Sequence, residues 1–157
     1  MSTLQTRNDS FQHGDLAALL CIESPGIQQT ITDQITQLGF AIHSAFTAEE
    51  AISKLSSHTY NVVIIEENLE GTDAQTHPVL AELATMRLDT RRGFYVVLIG
   101  PGMETQSDTQ AFGLSVDLTL NLLDMSDLKQ LVGRGIVEQE EFYAAFKAVK
   151  KDVQRIG

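Results

Sequence analysis

Short aliphatic runs alternate with amphipathic stretches along most of this chain. Two of the runs, residues 62–65 and 94–99, are apolar throughout and predict strands that are buried on both faces. Weaker runs predict three further strands at residues 16–22, 41–46 and 116–120. Strands of this kind are typical of a parallel sheet that lies between two layers of helices.

Apolar residues between these strands recur at helical spacing. Helices are predicted at residues 27–38, from Thr47 onward, at residues 78–86 and at residues 108–112. Gly39 stands where the first helix should stop, and Thr47 is a suitable N-cap for the second. Alternating strands and helices require right-handed crossovers, so we predict an α/β, doubly wound, flavodoxin-like sheet of five parallel strands in the order 2-1-3-4-5.

The chain continues beyond the fifth strand as an extended helical segment. Asp124 is a plausible cap for its first helix, and Gly133 and Gly135 predict a break or kink. A second helix then carries an apolar stripe of Phe142, Phe146, Val149 and Val153. This stripe is interpreted as a docking surface for a partner, as a face packed on the domain's own sheet layer, or as the seam of a homodimer.

These patterns divide the chain into three parts. Residues 1–15 have no periodicity and are expected to form a flexible tail, residues 16–123 form the domain, and residues 124–157 form the helical extension that packs on it or dimerises. A length of 157 residues with 43% hydrophobic composition is sufficient for one domain with a sizeable core.

Composition limits the binding partners, the compartment and the cofactors that we expect for this protein. The formal net charge of −10 opposes binding to nucleic acid or to anionic membranes. The single cysteine, Cys21, lies in an apolar run and is expected to be a core residue in a reducing compartment. No signal peptide or spanning segment is evident, so we expect a cytoplasmic protein. Four scattered histidines (13, 43, 58 and 77) and one cysteine predict no metal site, and no cofactor is expected.

Four segments together resemble the receiver domain of bacterial two-component response regulators, over roughly residues 16–130. These segments are LLCIESP, YNVVIIEENLEG, FYVVLIG and AFGLSVDLTLN. The resemblance implies a domain in which an aspartate at the end of strand three accepts a phosphoryl group from a histidine kinase. It also implies a metal ion held with an acidic pair on strand one, a hydroxyl at the end of strand four and a lysine at the end of strand five.

Every functional position of that family is altered in this sequence. The phosphoacceptor position is Glu66, the acidic pair is Glu23 and Ser24, the hydroxyl position is Gly100 (Ile99 if the register slips), and the lysine position is Asn121 (or Leu120). The resemblance therefore implies a pseudo-receiver: a non-enzymatic protein-interaction module of bacterial signal transduction that is not phosphorylated at the usual position. Its partner is unknown, and a homodimer is one possibility.

The acidic residues leave alternatives open. Glu66 is interpreted either as an imitation of the phosphorylated state or as a solvated acid left behind after loss of the chemistry. Glu23, Glu66 and Glu67 either hold a divalent cation weakly or repel one another at a loop edge, where solvent eases the repulsion. The alternative function is a small-ligand binder that holds a nucleotide or flavin phosphate through Ser24, Gly26, Thr30, Gly100 and Gly102.

Overall fold

The computed structural model describes the backbone of residues 16–156 and the side chains of that range except 143, 144 and 146 onward. The predicted tail at residues 1–15 lies outside the described residues, as do the side chains of Phe146, Val149 and Val153. Five parallel strands form one sheet in the order β2-β1-β3-β4-β5. This arrangement confirms the predicted fold class.

The predicted strands are all present, with small shifts at their ends. They are β1 Ala17–Cys21, β2 Ala41–Ala45, β3 Val62–Glu66, β4 Tyr95–Gly100 and β5 Leu118–Asn121. The helices are α1 Pro25–Gln37, α2 Ala48–Ser57, α3 Pro78–Thr85, α4 Leu88–Arg91, α5 Asp108–Leu114 and α6 Leu128–Ile156. Two 3₁₀ turns, Leu69–Gly71 and Leu122–Asp127, complete the path. The short helix α4 has no counterpart among the predictions.

The core consists of two apolar clusters, one on each face of the sheet. On one face, α2 and α3 pack through residues such as Leu55 and Leu83. On the other, α1 and α6 pack through residues such as Ile35 and Val132. Every residue of β1, β3 and β4 is buried, which explains why these strands are apolar on both faces. Cys21 is free and buried in the first cluster, as predicted.

The C-terminal extension differs from its prediction. Helix α6 is one continuous helix, with no break at Gly133 or Gly135. A Cβ atom at position 135 would collide with the phenol of Tyr95, so glycine is required there for close packing on β4 and does not interrupt the helix. Asp124 does not directly precede α6, because it lies inside the turn Leu122–Asp127, where its carboxylate accepts a hydrogen bond from the hydroxyl of Thr105 (2.6 Å).

The first turns of α6 are tied to the domain. The backbone N–H of Lys129 donates to Oε1 of Gln34 on α1 (2.8 Å), and Nε2 of Gln34 donates to the carbonyl of Met125 (2.7 Å). Leu128 and Val132 are fully buried beneath these contacts. The N-terminal third of α6 is therefore part of the helical layer that covers the sheet.

Candidate functional site

The predicted site residues come together at the carboxyl edge of the sheet. Glu66 is the last residue of β3 and pairs with Ile99 of β4, and Gly100 at the end of β4 pairs with Asn121 at the end of β5. Glu23 follows β1, the strand beside β3. In an open parallel sheet this edge is the usual ligand-binding side.

The Glu66 carboxylate is held by the loop between β1 and α1. Its Oε1 accepts hydrogen bonds from the backbone N–H groups of Glu23 (2.8 Å) and Ser24 (3.3 Å), and its Oε2 accepts one from Ser24 Oγ (2.7 Å). Ser24 is the N-cap of α1, so the negative charge also faces the positive end of a helix dipole. Glu66 is only 8% exposed, and the expectation of a solvated acid is therefore wrong.

Glu67 points to a different loop. Its Oε1 accepts a hydrogen bond from the backbone N–H of Gly102 (2.8 Å), and its own N–H donates to the carbonyl of Ile99 (2.8 Å). A Cβ atom at Gly100 would overlap the Glu67 side chain, and one at Gly102 would also crowd its carboxylate. The position that carries a hydroxyl in the receiver family is therefore filled here by a neighbouring glutamate.

Glu23 and Glu70 connect two further loops. Glu23 is exposed, and its Oε1 accepts a hydrogen bond from the N–H of Glu70 (3.1 Å). Glu70 adopts a left-handed backbone conformation (φ 55°), and its carboxylate accepts a hydrogen bond from the N–H of Ala48 (2.7 Å) at the start of α2. Each acid of this edge is therefore directed at a different backbone donor.

Asn121 stands at the position where the receiver family has a lysine, and its side-chain amide is hydrogen-bonded to the backbone of two neighbouring segments. Its Nδ2 donates to the carbonyl of Met103 (2.8 Å), and its Oδ1 accepts from the N–H of Leu123 (2.9 Å). It is the N-cap of the turn Leu122–Asp127. The amide therefore fastens the β4–α5 loop to the start of the C-terminal helical segment.

His77 is a site residue that sequence analysis missed. It is 2% exposed, its Nε2 lies 2.9 Å from the carbonyl oxygen of Glu66, and its Nδ1 accepts a hydrogen bond from the N–H of Val79 (3.2 Å). These contacts require a neutral ring with the proton on Nε2. Burial lowers the pKa of His77, although the hydrogen bond to the Glu66 carbonyl and the charge of Glu70 oppose this shift. Its position directly before Pro78 was the signal for an N-cap.

The receiver resemblance implies a metal ion at this edge of the sheet. Magnesium prefers carboxylate oxygens in octahedral geometry. Both oxygens of Glu66 accept hydrogen bonds from the chain, and the hydroxyl of Ser24, at the second acidic position, donates one of them. Within residues 16–156, no group of three or more His, Cys, Asp or Glu is arranged to hold a metal. These residues do not fit a magnesium ion.

The residues proposed to hold a ligand phosphate are also blocked by Glu67 or already hydrogen-bonded within the chain. The space beside Gly100 and Gly102 is taken by Glu67. The hydroxyl of Ser24 is bonded to Glu66, and that of Thr30 donates to the carbonyl of Gly26 within α1 (3.1 Å). The described edge is therefore filled by its own side chains.

The opposite end of the sheet carries an aromatic cluster that the sequence did not predict. Nδ1 of His43 lies 2.6 Å from the hydroxyl of Tyr60, and the rings of His43 and His58 meet edge to face at 5.0 Å. His58 and Tyr60 line an open groove of about 440 Å³ together with Asp89 and Phe94. Two of the four scattered histidines are thus neighbours in space.

Part of the predicted interaction stripe lies on the exposed part of α6. Phe142 is 65% exposed, and Val137, five residues earlier, is 53% exposed. The first turns of the same helix, by contrast, bury Leu128 and Val132. Packing on the chain's own sheet layer therefore accounts for the beginning of α6.

Comparison with known proteins agrees with the geometry. No protein-family model matches the chain, and no curated protein sequence matches it significantly. Among solved structures, a signal receiver domain from Vibrio parahaemolyticus is similar over 83% of this chain and 97% of its own (14% identity, TM-score 0.65). A CheY-like response regulator receiver domain protein from Methanospirillum hungatei covers 82% and 98% (15% identity, TM-score 0.64). The receiver domain of Francisella response regulator 1452 covers 79% and 98% (17% identity, TM-score 0.62). The chain therefore has the CheY-like fold of receiver domains.

In the part of the chain that the structure describes, no helix combines the length and the apolar character needed to cross a bilayer.

Proposed function

We propose that this chain is a non-catalytic, receiver-like protein-interaction module of cytoplasmic bacterial signal transduction that is not phosphorylated at Glu66. The observation that carries the proposal is the complete engagement of the Glu66 carboxylate. Three donors from Glu23 and Ser24 hold its two oxygens. An attacking carboxylate would have to give up these bonds before it could reach an in-line geometry.

The surroundings of Glu66 support the same conclusion. Phosphoryl transfer depends on positive groups that offset the charge spread over the phosphoryl oxygens. Here the edge contributes Glu67, Gly100 and Asn121, none of which is positive, and Asn121 is occupied by backbone partners. We therefore infer that this receiver fold serves as a scaffold for contacts with other proteins.

The contact surface in this proposal is the exposed part of α6. Val137 and Phe142 present apolar area there, next to the layer in which α6 packs on α1. Phe146, Val149 and Val153 continue the stripe in the sequence. A protein partner or a second copy of the chain would bind this segment.

Mass spectrometry with a small phosphodonor tests the proposal. The intact protein is incubated with acetyl phosphate and Mg²⁺, and the Glu66→Gln variant serves as the matched control because it keeps side-chain length and removes the nucleophile. We expect no phosphate adduct on either protein. A magnesium-dependent adduct on the wild type that Glu66→Gln abolishes would overturn the proposal.

The alternative of a nucleotide or flavin binder is less well supported. It relies on open space beside Gly100 and Gly102, and Glu67 fills that space. Thermal unfolding of the purified protein with and without nucleotides and flavins tests it directly. We expect no ligand-dependent change in Tm and no flavin absorbance.

A further inference from the structure

The side chain of His77 joins the end of β3 to the start of α3. Its Nε2 donates to the carbonyl of Glu66, the last residue of β3 (2.9 Å), and its Nδ1 accepts from the N–H of Val79 in the first turn of α3 (3.2 Å). The backbone carbonyl of His77 accepts from the N–H of Ala81 (3.1 Å). The first turn of α3 therefore depends on His77 for two of its hydrogen bonds, and the same residue holds that turn against the sheet.

This arrangement accommodates only the neutral imidazole ring. His77 is buried, so a charged ring would be held away from water. A proton on Nδ1 would point at the N–H of Val79, which is itself a donor, and the hydrogen bond that caps α3 would be lost. The ring also lies at the N-terminal end of a helix dipole, where a positive charge is disfavoured. Protonation and the observed position of the ring are thus in conflict.

We propose that protonation of His77 releases the start of α3 from the end of β3, so that the β3–α3 connection is an acid-sensitive conformational device. In the released form the ring leaves its buried position for solvent, and its hydrogen bonds to the Glu66 carbonyl and the Val79 N–H are both broken. This inference goes beyond the proposed function and does not depend on whether Glu66 accepts a phosphoryl group.

The turn that precedes His77 limits how far the release extends. The carboxylate of Asp73 accepts hydrogen bonds from the N–H groups of Gln75 (3.0 Å) and Thr76 (2.9 Å) and from the Thr76 hydroxyl (3.0 Å). The hydrogen bonds from Thr76 lower the pKa of Asp73, so this turn keeps its charge at the pH at which a histidine is protonated. Ala74 within the turn is also buried. The movement is therefore confined to His77 and the first turn of α3.

The groups that surround His77 determine the pH range of the device. Burial lowers the pKa of His77 and outweighs two opposing effects, the hydrogen bond to the Glu66 carbonyl and the negative charge of Glu70. The carboxylate of Glu70 is itself bonded to the N–H of Ala48, and that of Glu66 to the Ser24 hydroxyl. A released ring has the ordinary pKa of 6.5. The attached form is therefore fully favoured above pH 6.5, and release becomes easier as the pH falls from 6.5 towards the lowered pKa.

Amide hydrogen exchange of the full chain, followed by NMR from pH 7.5 to 5.5, tests the proposal. After correction for the intrinsic exchange rate, the opening constant at Val79 should rise below pH 6.5, by up to about tenfold per pH unit. Low concentrations of urea should leave exchange at Val79 unchanged and accelerate exchange at Val63 and Val97 in the buried strands β3 and β4. A local release exposes little surface, whereas exchange in the strands requires extensive unfolding.

Two variants and one direct measurement assign the effect to His77. His77→Asn keeps a side-chain acceptor suited to an N-cap and cannot be protonated, so the opening constant at Val79 should no longer change with pH. His58→Asn, at the opposite end of the sheet, is the matched control and should keep the wild-type pH dependence. Ring ¹⁵N chemical shifts of the wild type should show the neutral tautomer with the proton on Nε2 at pH 7.5 and a pKa below 6.5. This last measurement needs no substitution.

Four results would each overturn the device. They are an opening constant at Val79 that does not change with pH, exchange there as sensitive to urea as in the strands, a pH dependence that persists in His77→Asn, and a His77 ring that titrates at or above pH 6.5. These results would leave the phosphorylation test untouched. A phosphate adduct at Glu66, conversely, would overturn the proposed function and leave the His77 device standing.

Discussion

The contact between Glu67 and Gly100 makes a sharp prediction about stability. A methyl group at position 100 would overlap the Cβ and carboxylate of Glu67. Glu67 cannot move aside freely, because it is 8% exposed and its carboxylate is bonded to the N–H of Gly102. Gly100→Ala should therefore destabilise the protein, although alanine normally suits a strand better than glycine does.

The size of the effect follows from packing and hydrogen bonding. Overpacking by one methyl group typically costs about 1–3 kcal/mol. Glu67→Gly removes the whole side chain, including the Cβ atom and the hydrogen bond from Gly102, and should cost about 1–2 kcal/mol. In the double variant the space is open, so the overpacking cost should disappear. We expect a coupling of about 1–3 kcal/mol between the two changes, far from additivity.

Urea denaturation followed by circular dichroism measures all four proteins of this cycle, provided that the m-value stays constant. Gly113→Ala is the matched control, since a Cβ atom at that position in α5 meets nothing within 4 Å. This control should be neutral or stabilising by about 0.5–1 kcal/mol, and additive with Glu67→Gly. Additivity within about 0.5 kcal/mol between Gly100→Ala and Glu67→Gly would refute the packing argument.

Two further predictions concern α6 and His77. Gly135→Ala should lower the free energy of unfolding by about 1–3 kcal/mol, because its Cβ would meet the Tyr95 phenol. Combining it with Tyr95→Phe should recover part of this loss. An unchanged urea midpoint for Gly135→Ala would contradict the prediction. For His77, burial holds the folded-state pKa below the unfolded value of 6.5. Its contribution to stability should thus be complete above pH 6.5 and decline as the pH falls from 6.5 towards the folded pKa, by at most about 1.4 kcal/mol per pH unit. His77→Asn should flatten this part of the pH profile of unfolding free energy, and an unchanged slope would exclude His77 as the cause.

The fold was predictable from the sequence because its strands are buried on both faces. The runs at residues 62–65 and 94–99 correspond to Val62–Glu66 and Tyr95–Gly100 in the structure. The predicted break at Gly135 was wrong for an equally physical reason. Local propensity treats glycine as a helix breaker, whereas here the missing side chain makes room for Tyr95, which precedes it by forty residues.

The position of the candidate site could be predicted from the sequence, but the hydrogen bonds of its side chains could not. Strand order alone brings Glu66, Gly100 and Asn121 to one edge. The hydrogen bonds that decide their roles join residues far apart in the sequence, such as Glu66 with Ser24 and Glu67 with Gly102. A periodic pattern contains no information about such pairs, so the solvated interpretation of Glu66 could not be rejected from the sequence.

The length of the side chain at position 66 explains how its carboxylate reaches the loop after β1. An aspartate there would end about 1.5 Å short, one carbon–carbon bond, of the position from which Glu66 reaches the amides of Glu23 and Ser24. In the proposed function the extra methylene disfavours phosphoryl transfer, and it also lets the carboxylate bind the loop that leads into α1. Glu67 acts in parallel, since it removes the room for a side chain at Gly100 and ties down the β4–α5 loop. Substitution of either glutamate alone would leave the contacts of the other in place. Glu66 and Glu67 therefore act together in filling this edge of the sheet.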